Sequence, residues 1–313
     1  MSDSEDREFL ARRFESHRPR LRAVAYRMLG SLAEADDAVQ EAWLKLSRVD
    51  ADEVRNLGGW LTTVVGRVCL DMLRTRRSRG EEPLSAGPYG ADGVGGADGA
   101  GGVGGGGLRM PEPVISPLSG VDPEQEVLLA DSVGLALLVV LETLGPAERL
   151  AFVLHDLFGV PFDDIGPLVG RTPTAARQLA SRARRRVRGG APVPDANVER
   201  QREVVDAFLR AAREGDVEGL VAVLAPDAVA RSADGVTRGA VAVASQAAAY
   251  SRLGAGAGVR QALVNGAVGV VVVRDGRVER VLSFAVVEGR IAAIDVVSEE
   301  ERVASLDVAV LGG

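Results

Sequence analysis

The sequence predicts a multidomain chain in which two all-α units are followed by an α+β cone. Apolar residues recur at helical spacing through residues 5–79 and again through 124–189. Between these blocks lies a glycine-rich stretch, with 13 Gly among the 28 residues from 80 to 107. From residue 198 onward the pattern changes to helices followed by β-branched runs with turn signals. The expected division is therefore 5–79, a Gly/Pro-rich flexible linker over 80–123, 124–189, and 198–313.

In the first block Phe9, Leu10, Phe14, Leu21, Val24, Ala25, Met28 and Leu29 form an apolar stripe. Gly30 ends that helix and Ser31 opens the next, with Glu34 placed to complete a capping box. The helix Leu32 to Leu46 sets Glu34, Asp36, Asp37 and Glu41 beside an apolar face of Ala35, Val39, Ala42, Trp43 and Leu46. A polar loop from Asp50 to Gly59 precedes Trp60 and an arginine cluster, Arg67, Arg74, Arg76, Arg77 and Arg79, offset by Asp71 alone.

The linker composition cannot bury enough apolar surface to offset its ordering entropy. The second block starts with two apolar-patterned helices, roughly 125–143 and 147–157. Pro161 to Gly170 then reads as a short amphipathic helix, and Thr172-Pro173 as an N-cap and first helical residue. A short helix, a tight Gly turn and an Arg-rich helix make a helix-turn-helix. Residues 171–188 hold seven Arg and no acid. Flanking arginines suit phosphates, and Arg and Gln early in such a helix suit guanine and adenine edges. The alternative is a solvated basic helix in a structural bundle.

The third block opens with a helix over 198–213, a Gly215-Asp216 turn, and a helix ending near Ala225-Pro226. The runs Val259–Val264, Val268–Val273, Val281–Val287 and Ile291–Val297 follow. Asp275-Gly276 and Glu288-Gly289 separate the last three, as in an antiparallel meander. Within this block Asp295 is the one acid set in an apolar strand pattern, readable as a pocket acid or as a strand-end residue. Both histidines, His17 and His155, fall outside the block, so the groups for general acid–base chemistry are missing there.

A net charge of −7 argues against coating DNA by bulk attraction, but the positive charge is locally concentrated. A single cysteine, Cys69, excludes an internal disulfide and a cysteine-cluster metal site. With no long apolar run and an acidic start, neither a membrane span nor a secretory signal is expected, and the chain reads as cytoplasmic.

Ala25-Tyr26-Arg27-Met28-Leu29-Gly30-Ser31, continuing through Asp36-Asp37-Ala38-Val39-Gln40-Glu41-Ala42-Trp43, resembles domain two (σ2) of the extracytoplasmic-function sigma factors of RNA polymerase. The resemblance implies that Glu34, Asp36, Asp37, Gln40 and Glu41 dock on the β′ clamp helices. Trp60-Leu61-Thr62 onward is similar to the helix that reads the melted minus-ten strand, which implies roles for Asp52, Asn56, Trp60, Arg67, Arg74 and Arg77. Stacked bases and tracked phosphates fit an aromatic beside arginines, although Trp60 by itself also suits a core position.

Leu144-Gly145-Pro146-Ala147-Glu148-Arg149 and the helix-turn-helix resemble domain four (σ4), the minus-thirty-five reader that meets the β flap. The implied readers are Arg171, Thr172, Thr174, Arg177, Gln178, Ser181, Arg182 and Arg185. The third block is similar to the SnoaL-like (NTF2-type) domain of the sigma-J-like subgroup. Pro111-Glu112-Pro113 resembles that subgroup's linker motif, with Arg109-Met110 standing where Trp-Leu is usual. Ala233 to Val236 and Ser298 to Arg302 occupy the places of two further subgroup motifs. The implied function is promoter-specific initiation with core RNA polymerase, modulated in cis by the cone. No metal, cofactor or catalytic residue is expected, and a small-molecule ligand of the cone is left open. A one-component duplex-DNA regulator and a cone-fold enzyme are the competing readings.

Overall fold

A computed structural model describes residues 3–48, 56–78, 109–118, 134–192, 194–195, 197–253, 256–304 and 306. The chain divides into two compact units. Among the described residues, the first takes 3–78 and 144–185, and the second takes 109–118, 134–143 and everything from Arg186.

The first unit is helical. Helix α1 (Asp3–Leu29) buries Phe14, Leu21, Val24, Met28 and Leu29, whereas Phe9 is exposed beneath the Arg13 guanidinium. Gly30 takes the left-handed conformation (φ 69°) that a residue without Cβ adopts at low cost. Helix α2 (Leu32–Leu46) buries Ala35, Ala38, Val39, Ala42 and Leu46. The expected capping box is not completed, because the Ser31 side chain makes no capping bond; Glu34 pairs with Arg76.

Helix α3 (Leu57–Ser78) begins three residues before Trp60, inside the stretch expected to be loop. Asn56 caps it, Oδ1 accepting from the Gly59 N–H at 3.0 Å. Its buried Cys69 thiol is pushed up to about 12, chiefly by desolvation. The folded thiol therefore stays protonated between its ordinary value of 9.0 and 12, while an unfolded one ionises. Folded stability accordingly falls as pH rises through that window. Iodoacetamide at pH 8 should leave Cys69 unmodified in the folded chain and alkylate it in urea, as mass spectrometry would record.

Helix α5 (Pro146–Phe152), α6 (Phe162–Leu168) and α7 (Pro173–Gly190) complete this unit as far as Arg185. The helix expected over 147–157 is α-helical only to Phe152, and Val153–Leu157 continues as a wider π-helical turn.

The second unit is a curved seven-stranded sheet with helices in its concavity. Its strands are β1 (Ile115–Ser116), β2 (Leu224–Ser232), β3 (Gly235–Arg238), β4 (Gly258–Val264), β5 (Ala267–Arg274), β6 (Arg277–Val287) and β7 (Arg290–Val297). They lie in the order β1-β4-β5-β6-β7-β2-β3. Strands β5 to β7 form the expected antiparallel meander, and β4 extends it by one strand. Its turns are Asn265-Gly266, Asp275-Gly276 and Glu288-Gly289, all with positive φ at both residues. That is the tight turn whose twist matches the strands it joins.

Helices α8 (Val198–Glu214), α9 (Val217–Val223) and α10 (Ala240–Leu253) pack their apolar faces against the sheet. Phe208 meets Phe284 edge-on at 5.4 Å in that core. Buried Gln201 ties α8 to β5, its Oε1 accepting from Val268 N–H at 2.8 Å. Asn197 and Asp216 cap α8 and α9 through Arg200 and Gly219 N–H groups. A short helix, α11 (Glu300–Val303), follows β7.

Strand β2 begins at Leu224, where the sequence suggests a helix end. Its parallel pairing with β7 adds a crossover to the meander. The helix expected over 125–143 is described as α4 (Leu135–Glu142), and it belongs to this unit rather than to the helices that follow it in sequence. It covers the convex side of the sheet, where Ala136 packs on Ala285 and Ala293. Three small side chains let helix and sheet approach closely.

Asp295 is neither a pocket acid nor a strand-end residue. It lies within β7 and takes a two-toothed bond from Arg231 at 2.5 and 2.9 Å, both side chains at most 2% exposed. Arg231 also donates to the Gly190 carbonyl at 3.0 Å. Removing one partner strands a buried charge. Asp295→Ala should therefore lower unfolding free energy by about 3–5 kcal/mol in urea titration. A loss under 1 kcal/mol would show the pair to be solvated.

Candidate nucleic-acid interface

The α6–α7 turn is built by two glycines. A Cβ on Gly166 would stand 2.9 Å from the Arg171 carbonyl oxygen and 3.0 Å from the Pro173 nitrogen, so only Gly admits this approach. Gly170 adopts φ 67°, ending α6, and the Arg171 N–H returns to the Gly166 carbonyl at 2.9 Å. Thr172 caps α7 as the sequence suggests, Oγ1 accepting from the Ala175 N–H at 3.2 Å.

Ala176, Leu179, Ala180 and Ala183 form the buried stripe of α7. Arg171, Thr172, Thr174, Arg177, Gln178, Ser181, Arg182 and Arg185 are all exposed. Arg177 sits over the Phe162 ring at 5.3 Å, which steadies it at the start of the exposed face. Arg182 and Arg184 pair with Glu148 and Asp156 at 3.3 and 2.7 Å, so the basic strip is partly braced from within its own unit.

On α3, Trp60, Arg67 and Arg74 recur every seven residues and so share one side of the helix. Arg67, Arg74 and Arg77 are exposed and Trp60 is half-buried. Arg74 lies 3.5 Å from Asp71. Asn56 is exposed, but its oxygen is occupied as the helix cap. Asp52 lies outside the described residues.

The acidic residues of α2 do not form one exposed row. Asp36 takes a two-toothed bond from Arg22 at 2.7 and 3.0 Å, and Glu34 is held by Arg76. Asp37, Gln40 and Glu41 are exposed, and Leu44 joins them at 49% exposed. Positions 37, 40, 41 and 44 follow the spacing of a single docking face. That spacing is readable from sequence, where Leu44 falls outside the apolar face of Ala35, Val39, Ala42, Trp43 and Leu46.

Within the first unit, α1 and α3 pack directly on α5 and the turn after it. Arg149, 2% exposed, donates through Nε to the Arg27 carbonyl at 3.1 Å. Arg20 donates to the Phe158 carbonyl at 2.9 Å. Gly66 leaves room on α3 for Leu150 and Leu154.

In the second unit, part of the segment expected to be linker is a structural element of the cone. Strand β1 pairs with β4, and the Asn265 backbone and side chain bond Val114 at 2.8 and 3.2 Å. Glu299 accepts from the Met110 N–H at 3.3 Å, so Pro111-Glu112-Pro113 is bracketed by contacts with the cone. Residues 80–108 and 119–123 of that segment lie outside the described residues.

The sigma-70 region 2 family matches residues 13–79, and sigma-70 region 4 matches residues 134–187. The crystal structure of the extracytoplasmic function sigma factor SigJ of Mycobacterium tuberculosis superposes with a TM-score of 0.67 at 30% identity, over 93% of this chain and 97% of that one. The chain belongs to the ECF sigma factors. Curated relatives agree in part of their length. The probable ECF sigma factor SigI of M. tuberculosis is 36% identical over 213 residues, 68% of this chain and 66% of that protein. ECF sigma factor SigJ is 39% identical over 220 residues, 68% of this chain and 62% of SigJ. In this ECF factor α1–α3 form region 2 and α4–α7 form region 4, followed by the α+β cone. Among the described residues no helix is long and apolar enough to cross a membrane.

Proposed function

We propose that this ECF sigma factor binds core RNA polymerase through α2 and region 4 and directs promoter-specific initiation. The observation that carries the reading is the fully exposed reader face of α7 in a chain that also presents the α2 stripe Asp37, Gln40, Glu41 and Leu44. On this reading α2 meets the β′ clamp helices and region 4 meets the β flap. Arg171, Thr172, Thr174, Arg177, Gln178, Ser181, Arg182 and Arg185 face the upstream promoter element. Trp60, Arg67, Arg74 and Arg77 face the melted strand, and Asn56 serves chiefly as a cap. The protein works by binding in the cytoplasm and carries out no catalysis.

Regulation in cis follows from β1 and α4. Both lie between the two DNA-reading helices in sequence, and both are elements of the cone. The cone therefore holds the connection whose slack sets how far α3 and α7 can separate on a promoter. Arg149 and the leucines around Gly66 meanwhile hold the two readers together in the free chain.

Co-elution with bacterial core polymerase, followed by run-off transcription from a genomic promoter pool, tests the central reading. Specific transcripts support it. Failure to bind core, with tight binding to duplex DNA alone, favours a one-component regulator. Deleting residues 198–313 should change transcript yield, and an unchanged yield would remove the regulatory role.

A further inference from the structure

Three arginines of α7 are each seated on a group from the layer behind the helix. Arg177 lies over the Phe162 ring at 5.3 Å, and Phe162 in turn stacks on His155 at 3.8 Å. Arg182 Nε stands 3.3 Å from Glu148 Oε1 on α5. Arg184 Nε donates to Asp156 Oδ1 at 2.7 Å. Asp156 belongs to the π-helical turn Val153–Leu157, a kind of turn that recurs at functional sites. Arg184 is not among the arginines that the family resemblance assigns to promoter reading.

The two ion pairs sit on opposite flanks of α7. Successive residues of an α-helix turn by about 100°. Arg182 and Arg184 therefore stand about 100° to either side of Ala183, which belongs to the buried stripe. Thr174, Gln178, Ser181 and Arg185 point away from that stripe, toward whatever the helix faces. A helix laid in a major groove has base edges ahead of it and a phosphate backbone along each flank.

Both pairs meet through Nε, so the Nη1–Nη2 end of each guanidinium keeps a two-toothed face for a second partner. The acids are recessed and the arginines stand forward. Glu148 and Asp156 side chains are 15% and 21% exposed, against 54% and 34% for Arg182 and Arg184. A long side chain already held in this way has less freedom left to lose when it binds.

We infer that Arg184 and Arg182 clamp the two phosphate backbones beside α7, and that Asp156 and Glu148 are the positioning residues that aim them. The inference rests on the reading of α7 as the upstream promoter helix. Phosphate contacts fix register and carry no sequence information directly. The two clamps therefore set where α7 sits, while the side chains ahead of it read the bases. An acid beside DNA also repels phosphates through space. Aiming and repulsion have opposite signs, so removing Asp156 distinguishes them.

The test is a salt series of binding by the full chain assembled with core polymerase. The probes are a promoter duplex recovered from the run-off transcripts and its scrambled counterpart. Arg184→Ala should weaken both duplexes alike and flatten the log–log salt slope by about 0.9. Asp156→Ala should weaken both about twofold to tenfold, the cost of ordering a long side chain on binding, although it removes a negative charge. Asp156→Asn keeps an acceptor for Nε and should bind at least as tightly as the parent. On an Arg184→Ala background, Asp156→Ala should cost nothing further. Melting temperatures should barely move, because the pair is partly solvated. Glu148→Ala and Glu148→Gln should repeat the pattern with Arg182. Tighter or unchanged binding by the Ala variant, equal losses in the Ala and amide variants, or a loss that persists without the arginine would each overturn the assignment for that flank. The Arg177→Ala/Gln178→Ala variant is the control. If it keeps its upstream preference, the reading of α7 itself fails; if it loses that preference, a failed Asp156 series removes the positioning role alone.

Discussion

Replacing Arg177 and Gln178 together by Ala should collapse discrimination of the upstream promoter element while leaving polymerase capture intact. Both side chains are exposed on the first two turns of α7, away from the buried stripe Ala176, Leu179, Ala180 and Ala183. Each good two-toothed base contact is worth about 1–3 kcal/mol of discrimination. The pair should therefore cost about 2–6 kcal/mol, roughly thirtyfold to ten-thousandfold, in preference between cognate and scrambled upstream elements. Competition run-off assays on matched templates would measure it. Removing Arg177 loses only a contact over Phe162 within the fold, so thermal stability should change little. An unaltered upstream preference would exclude α7 as the reader.

Reversing charge at Asp37 and Glu41 should abolish capture by core polymerase without unfolding the chain. Asp37 is exposed, and Glu41 gives up only a solvent-exposed pair with Lys45 at 2.9 Å. Such a pair is worth little to stability. Asp36→Lys is predicted to behave differently. It sets a cation against Arg22, whose two bonds at 2.7 and 3.0 Å tie α1 to α2, so it should lower the melting temperature as well as binding. Co-elution beside thermal unfolding separates the two outcomes. Retained capture by the Asp37→Lys/Glu41→Lys variant would remove α2 as the docking helix.

The contrast between Asp36 and Asp37 marks the limit of what is readable from sequence. Spacing places both on a polar helix face, but only α1 decides which meets Arg22 and which meets solvent. Glu34 follows the same logic: its partner Arg76 stands 42 positions later and meets it only on folding. The exposed face of α7 was legible because it rests on local rules, a left-handed glycine, a capping threonine and a stripe of small apolar residues. Strands β4 to β7 were legible for the same reason, their β-branched runs being bounded by residues that accept positive φ.

Strands β1 and β2 were not. Pro226, Asp227 and the alanines of β2 carry little intrinsic β preference, and two residues of β1 carry almost no pattern at all. Each is a strand because a partner, β7 or β4, offers it a ladder of hydrogen bonds. Asp295 likewise waits on Arg231, 64 positions away, to become half of a buried pair. The sequence alone determined the helical blocks, the helix-turn-helix, the meander and the family. Tertiary structure alone decided that part of the linker and the first region 4 helix are elements of the cone, and which carboxylates face solvent. Local preferences are written in neighbouring residues, whereas pairing, burial and charge neutralisation depend on groups that only folding brings together.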